Sequence, residues 1–345
     1  MDYDIAIATR NRADALRLSV PLMLAQSRKP RSLIVVDASD DPHRSESAVR
    51  SACDSQNVRL LFLTAPPNLP QQRNIALEHV NSPVVMFPDD DSLWWPGVAE
   101  HVMRVYERDE DEVIGGVCCA PSASPPPGTD LASSYSMSKA DSFRRKIEGR
   151  RHAIEAALLP DPLWVHGASR WSVKPTPDWL EEENAALVEF MGGFRMSFRT
   201  EVLRKAGGFD PELGGKIGYA AYEDADASFR VAQTHLLVGA RDALCYHHRF
   251  PSKRADGYRL GLFLLLNRAY IIAKYSEPGS RAHKAFRPFA LYKLAQYSVT
   301  IATAHGRAKM RGTITGMVAG QSLFVAPTGD IRNFYHQLID KHTRR

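Results

Sequence analysis

Short aliphatic runs alternate with helix-spaced segments through the first 120 residues, and each run ends in a polar or acidic loop. Ile5–Ala8 reads as a buried strand. Leu16, Val20, Met23 and Leu24 keep helical spacing and stop before Pro30. Leu33–Val36 and Val58–Leu63 read as strands, the second bounded by Pro66-Pro67. Asn68–Val80 reads as a helix, and Pro83–Phe87 and Val113–Val117 as further strands. Strand and helix in alternation build a parallel sheet covered on both faces. Ligands of such sheets bind beyond the carboxyl ends of the strands. Thr9-Arg10-Asn11, Asp37 and Asp89–Asp91 all fall at that edge.

Three acidic patches follow in order. Asp37 ends one strand, Asp89-Asp90-Asp91-Ser92 follows another, and Tyr222-Glu223-Asp224-Ala225-Asp226 comes later, with Tyr246-His247-His248 after it. Carboxylates at the ends of apolar strands are costly unless something positive is bound there. A divalent metal carrying a diphosphate is the simplest candidate, and hard oxygen ligands suit Mg²⁺ or Mn²⁺. Each patch also has a plain structural reading. Asp89–Asp91 can be a solvated turn capping a helix, Asp37 a cap, and Glu223–Asp226 charge complementarity at a helix start. Consecutive histidines on a strand point to opposite sides, so at most one of His247 and His248 is expected to reach a site.

The pattern changes from Pro121 to about Glu183. A Pro- and Ser-rich loop leads to a charged helix around Ser142–Leu159 and a stretch carrying Trp164, Trp171 and Trp179. Such long irregular stretches often cover or bind ligands. Phe190–Phe198 reads as a strand, and a helix from Thr200 ends at Gly207-Gly208. A helix carrying Asp224, Asp226, Phe229 and Val231 follows, then a strand through Leu236–Val238 and Ala243–Tyr246. The tail is mostly helical, with Leu291, Leu294, Tyr297 and Ile301 on one face after a start near Pro288.

Composition narrows the classes. With 44% hydrophobic and 24% charged residues the chain is of globular type. No apolar run reaches the roughly 18 residues of a membrane span; Leu262–Leu266 is stopped by Asn267-Arg268. No signal peptide is expected at Met1-Asp2-Tyr3-Asp4. Cys53, Cys118, Cys119 and Cys245 lack metal-ligand spacing and read as buried thiols of a reducing cytoplasm. Residues 249–345 hold 17 Lys+Arg against 4 Asp+Glu, whereas the rest holds 27 against 35. That split points to an anionic partner for the tail. Gly214-Gly215-Lys216-Ile217 lacks the remaining residues of a P-loop, and neither G-x-G-x-x-G nor G-x-S-x-G occurs.

Taken together, these pieces resemble the family 2 glycosyltransferases of the GT-A fold. The match runs through Ile7-Ala8-Thr9-Arg10-Asn11-Arg12, Val35-Val36-Asp37-Ala38-Ser39, Gln72-Arg73-Asn74-Ile75-Ala76 and Asp89-Asp90-Asp91-Ser92. It continues in Gly192-Gly193-Phe194-Arg195-Met196-Ser197-Phe198-Arg199, Gly207-Gly208-Phe209-Asp210, Glu223-Asp224-Ala225-Asp226 and Tyr246-His247, covering roughly residues 3–250.

The resemblance implies an α/β fold with a mostly parallel central sheet flanked by helices and a helical C-terminal extension. It divides the chain into a nucleotide-sugar-binding half (1–120), an insert (121–185) that forms an acceptor or lid region, a catalytic-base half (186–250) and a basic helical extension (251–345). It implies nucleotide contacts at Thr9, Asn11, Asp37, Arg73, Asp89 and Asp90, with Asp37 on the base. Asp91 and His247 become ligands of Mn²⁺ or Mg²⁺, with His248 the second choice. Asp224 becomes the base that deprotonates the acceptor hydroxyl, and Glu223, Trp164 and Trp171 line the acceptor. Ser92 and Ala38 depart from the acidic or amide residues common at those positions.

The expected activity is inverting transfer of one sugar from a nucleotide-diphosphate donor, UDP-linked by preference, to a glycan or lipid-linked acceptor in bacterial surface polysaccharide synthesis. Processive members carry membrane helices and a Q-x-x-R-W motif; Gly167-Ala168-Ser169-Arg170-Trp171 lacks the Gln and lies upstream. The expected location is cytoplasmic, peripheral on the inner membrane face. Arg281, Lys284, Arg287 and Lys293, which flank Phe286, Phe289 and Tyr292, would meet anionic lipid. A cap on the acidic core, or a dimer interface through the C-terminal helices, is the alternative use of that tail. Rival classes are a sugar-1-phosphate nucleotidyltransferase, for which the Thr9–Arg12 loop has no glycine, and a non-catalytic carbohydrate-binding protein. Nucleic-acid binding is not expected, since the tail has no recognition motif.

Overall fold

The computed structural model describes residues 1–129, 131, 174–214, 221–250, 256–325 and 330–343. The chain divides into two compact units. One holds the described residues of 1–136, 168–218 and 223–252, the other those of 219–222 and 253–345.

The first unit is a nine-stranded sheet with strand order β3-β2-β1-β4-β8-β6-β9-β5 and β7 paired to β9. Its first half follows the expected rhythm. β1 (Tyr3–Thr9), β2 (Ser32–Asp37), β3 (Arg59–Thr64) and β4 (Val84–Pro88) are parallel, with α1 (Ala13–Leu24), α2 (Pro42–Gln56) and α3 (Leu69–Glu78) as crossovers. β5 (Ser92–Trp94), α4 (Val98–Arg108), β6 (Ile114–Pro121), β7 (Ala185–Leu187), β8 (Arg195–Arg199), α5 (Thr200–Lys205), α6 (Glu223–Val231) and β9 (Leu236–His247) complete it. Six strands run one way, whereas β5, β7 and β8 run against them.

Alternation along the strands makes two cores. Leu33 and Val35 pack with Leu16, Val20, Val49 and Val102 on one face. Ile34 and Val36 pack with Leu77, Leu203 and Val231 on the other. Each such aliphatic side chain contributes about 1.5–3 kcal/mol on burial. A strand buried on both faces has no polar alternation, which is why these runs read as continuous apolar segments. All four cysteines are buried and free.

Several boundaries differ from expectation. β8 begins at Arg195, not Phe190, because Phe190–Phe194 form a bend that enters the site. β9 is one strand whose pairing with β6 jumps from Cys119↔Ala240 to Ala120↔Leu244, so Arg241–Ala243 form a bulge. Helices α2 and α4 and the three-residue β5 were not foreseen. The α2 sequence is largely polar and buries only Ser45, Ala48, Val49 and Cys53. Both ends of the expected insert belong to the sheet, as the end of β6 and the start of β7. The expected helix at Ser142–Leu159 lies outside the described residues.

The second unit is helical: α7 (Gly257–Tyr275), α8 (Arg281–Ser298), α9 (Ala304–Leu323) and α10 (Ile331–Thr343). α7 and α9 approach so closely that a Cβ at Gly312 would lie 1.9 Å from the Tyr258 carbonyl oxygen. α8 starts well before Pro288, because the Ser280 hydroxyl accepts from His283 N–H at 3.4 Å and caps it. The predicted apolar stripe is correspondingly not a packed face: Leu291 and Ile301 are exposed. Phe286 and Phe289, expected to alternate with cations at a surface, are instead buried. No described helix is long and apolar enough to cross a membrane.

Candidate active site

The carboxyl ends of β1, β2 and β4 converge because the strands are in register: Thr9 lies opposite Asp37, and Gln72 of α3 donates to the carbonyls of Thr9 (3.0 Å) and Val36 (2.8 Å). Asp37 Oδ1 accepts from Ser39 N–H at 2.8 Å. Its other oxygen is buried without a hydrogen-bond partner. Asn11, at φ 55°, exchanges hydrogen bonds of 2.9 Å with Asp40 through its side chain and so ties the two loops together.

The triple aspartate sends its members three ways. Asp90 turns inward and is 3% exposed. It accepts from Thr9 Oγ1 at 2.7 Å and pairs with Arg12 at 2.8 Å. Burial pushes its carboxyl up to about 7 against the pull of Arg12. Asp91 is 2% exposed; its Oδ2 accepts from Arg12 and from Phe250 N–H, the latter at 2.8 Å. Burial works to raise Asp91, but His247 and Arg12 outweigh it and hold the carboxyl below the usual carboxylate range. Asp91 Oδ1 is buried with no aligned donor and faces His247 Nε2 at 3.2 Å. Asp89 is partly exposed, with Oδ2 3.9 Å from the same imidazole.

His247 is set by strand pairing, since it lies opposite Ser92 of β5. Its ring stacks on Phe194 with centroids 4.6 Å apart. His248 points the other way, 5% exposed, among Tyr246 and Phe250. Asp89, Asp91 and His247 each offer a ligand atom, and these atoms lie within 4.8 Å of one another. Two carboxylates and an imidazole, one carboxylate oxygen being buried and unsatisfied, fit a Mn²⁺ or Mg²⁺ ion. Asp89, expected among the nucleotide contacts, thus joins Asp91 and His247 in the set that could hold a metal ion.

Arg73 of α3 links this group to the start of α6. Only 2% exposed, it donates to Glu223 Oε1 and Asp89 Oδ1 at 2.9 Å each. Its guanidinium also lies 5.4 Å from the centre of the Phe209 ring. Glu223, expected at the acceptor, is buried beneath Arg73, and burial pushes it up to about 7. Asp224 is less enclosed. Its Oδ2 accepts from Gly193 N–H and its Oδ1 from Ala225 N–H, each at 2.8 Å. Burial raises its carboxyl above the ordinary value, with Arg73 opposing. Gly193 packs close to both side chains: a Cβ there would stand 3.1 Å from Arg73 Nη2 and in ordinary contact, 3.5 Å, with Asp224 Oδ2.

The profile of Glycosyl transferase family 2 matches residues 4–151, the stretch that supplies Thr9, Asp37, Arg73 and the triple aspartate. Residues 4–151 thus match the family 2 glycosyltransferases over less than half of the chain. No curated protein matches the sequence. Solved glycosyltransferases share the fold of this one along nearly its whole length. The mannosyltransferase PcManGT from Pyrobaculum calidifontis, in complex with GDP-Man and Mn²⁺, is 16% identical at a TM-score of 0.51, covering 99% of this chain and 87% of its own. TarS 1–349 of S. aureus, in complex with UDP-GlcNAc, is 10% identical at 0.51, covering 100% and 92%. GalNAc-T7 with UDP, GalNAc and Mn²⁺ is 12% identical at 0.53, covering 99% of this chain and 54% of its own.

Sequence reasoning gave no separate part to Arg12, Gly193 or Phe194. Arg12 stands in the quoted Thr9–Arg12 loop, but nothing local signals that its guanidinium reaches residues about 80 positions on. Trp164 and Trp171 lie outside the described residues.

Proposed function

We propose that the protein moves a single sugar from a nucleotide-diphosphate donor to a hydroxyl of a glycan or lipid-linked acceptor, with inversion at the anomeric carbon. The carrying observation is the convergence of Asp89, Asp91 and His247, joined through Arg73 to the helix that bears Asp224. A bound Mn²⁺ or Mg²⁺ would supply charge to offset that growing on the diphosphate. Asp224, raised by burial and held by two backbone N–H groups, takes the acceptor proton. The acceptor oxygen forms a bond to the anomeric carbon as the bond to the diphosphate oxygen breaks, and the electron pair leaves with the nucleotide. Asp37, with one unsatisfied buried oxygen, is suited to accept from a base N–H. Uridine donors are favoured because two of the similar structures hold UDP or a UDP-sugar, although PcManGT holds GDP-Man.

The test begins with thermal stabilisation by UDP-, GDP- and dTDP-sugars in Mn²⁺. With the best donor, Asp224→Asn should abolish turnover while binding that donor with unchanged affinity by calorimetry. Near-wild-type turnover in Asp224→Asn removes the assignment of the base.

The helical unit supports a lipid-linked acceptor. Residues 249–345 carry a net +13 charge. Among the described residues there, six large apolar side chains are exposed: Leu291, Val299, Ile301, Ile314, Val318 and Val325. Cations beside an anionic bilayer contribute about 1 kcal/mol each. Flotation with phosphatidylglycerol vesicles at low salt should carry the protein upward; sedimentation with the free fraction refutes this acceptor setting.

A further inference from the structure

Ser92 closes the acidic turn and opens β5, and it is fully buried. Its hydroxyl accepts from Asp89 N–H at 3.0 Å and donates to the Phe194 carbonyl at 2.7 Å. Its own N–H donates to the Asp89 carbonyl at 3.0 Å, so the turn is tied from both sides. A buried hydroxyl is costly unless it is used. This one is used as donor and as acceptor, on two segments about 100 positions apart. A carboxylate in its place could accept from Asp89 but could not donate to Phe194.

Phe194 is the last residue of the bend before β8. The Cys245 thiol, a weaker donor, also approaches its carbonyl, at 3.8 Å. Its ring lies flat on that of His247, with centroids 4.6 Å apart and planes 11° from parallel. Strand pairing sets the His247 backbone opposite Ser92, yet β5 offers only Ser92–Trp94 for that purpose. Pairing also leaves the imidazole free to turn, since the outer torsion of a histidine side chain is broad. The flat contact removes that freedom, because the ring cannot tilt without leaving Phe194. In this orientation Nε2 stands 3.2 Å from Asp91 Oδ1 and 3.9 Å from Asp89 Oδ2.

We propose that Ser92 and Phe194 are a pair of positioning residues for a divalent cation held by Asp89, Asp91 and His247. With one hydroxyl Ser92 fixes the backbone of Asp89 and that of Phe194, and the Phe194 ring passes the constraint on to the imidazole. A hydroxyl bonded to backbone groups thereby sets the spacing between two of the three ligands. Groups that orient ligands in this way typically change metal affinity about 10- to 100-fold. The inference rests on the reading of Asp89, Asp91 and His247 as the ligand set.

The experiment uses the full chain and Mn²⁺ alone, with the free ion followed by its electron paramagnetic resonance signal. Wild type should bind the ion, and Asp91→Ala should lose it. Ser92→Ala removes both hydroxyl bonds and should weaken binding about 10- to 100-fold per folded molecule. Phe194→Leu keeps the bulk and loses the flat ring, and should weaken binding in the same direction. Phe194→Tyr keeps the ring and should stay near wild type. The double variant of Ser92→Ala and Phe194→Leu should lose less than the product of the separate losses, because both act through one imidazole. Wild-type affinity in Ser92→Ala overturns the inference. So does an equal loss in Phe194→Leu and Phe194→Tyr, or a loss that disappears once the folded fraction is counted by circular dichroism. If wild type binds no Mn²⁺, or Asp91→Ala binds it as well as wild type, the reading of the ligand set fails instead, and the two failures are distinct.

Discussion

Arg12 grips one oxygen of Asp91 and leaves the other turned toward His247. The pair is formed by a loop residue after β1 and a carboxylate after β4, and the Arg12 guanidinium is further fixed by the Phe250 carbonyl at 3.2 Å. A carboxylate so held presents a single oxygen in a fixed direction. Groups that orient a ligand in this way typically matter about 10- to 100-fold in metal affinity. Arg12→Ala should therefore weaken Mn²⁺ binding by about that factor in calorimetry, with the fold retained by circular dichroism. Equal affinity in the variant would mean that the pair serves the loop alone.

Asp91→Ala removes the most enclosed of the three candidate metal ligands. Donor binding should become independent of Mn²⁺ and weak, and chelation of the wild-type protein should reproduce that weakness. Unchanged metal dependence takes Asp91 out of the ligand set.

Arg73→Lys tests the link between the aspartate loop and α6. Arg73 spans Glu223 and Asp89 with two separate nitrogens, which a single ammonium cannot reproduce. The substitution should cost about 1–3 kcal/mol of stability in chemical denaturation and lower turnover more than donor affinity. Wild-type stability would show the two carboxylates to be independent of the arginine.

Glu223 predicts a pH signature. Its carboxyl is raised to about 7 by burial and by Asp224, with Arg73 opposing. A raised carboxyl contributes stability below its unfolded pKa and loses it as pH climbs through the folded value. From about pH 4.5 to 7.5, wild type should thus lose up to about 3 kcal/mol relative to Glu223→Gln. Melting curves of the two proteins across that range decide it, and a constant offset refutes it.

β1, β2 and β4 were legible because each is buried on both faces, so aliphatic runs such as Leu33–Val36 stand out against polar loops, whereas β3 at the sheet edge is only half-buried and was legible from its aliphatic run alone. The acidic strand ends were legible for the same reason. Most of what escaped was set by tertiary contact; α4 is the exception, since Val98, Val102, Val105 and Tyr106 keep helical spacing within its own sequence. α2 buries too few apolar side chains to show a period, and β5 is held by pairing with β9. Asp90 and Asp91 are adjacent in sequence, yet one serves the loop below and the other faces the imidazole. Asn267 looked like a mere interruption because its partners, Ala221 and Tyr335, are far away along the chain.

The bulge at Arg241–Ala243 gives β9 a place to absorb length changes. Gaining or losing a residue inside it can leave the later pairing of Tyr246 with Leu93 and His247 with Ser92 intact. The same change between Leu244 and His247 would invert the phase of the strand and present its neighbour's ring to the carboxylates. Tolerance to insertion should therefore switch from permissive to lethal within about four positions.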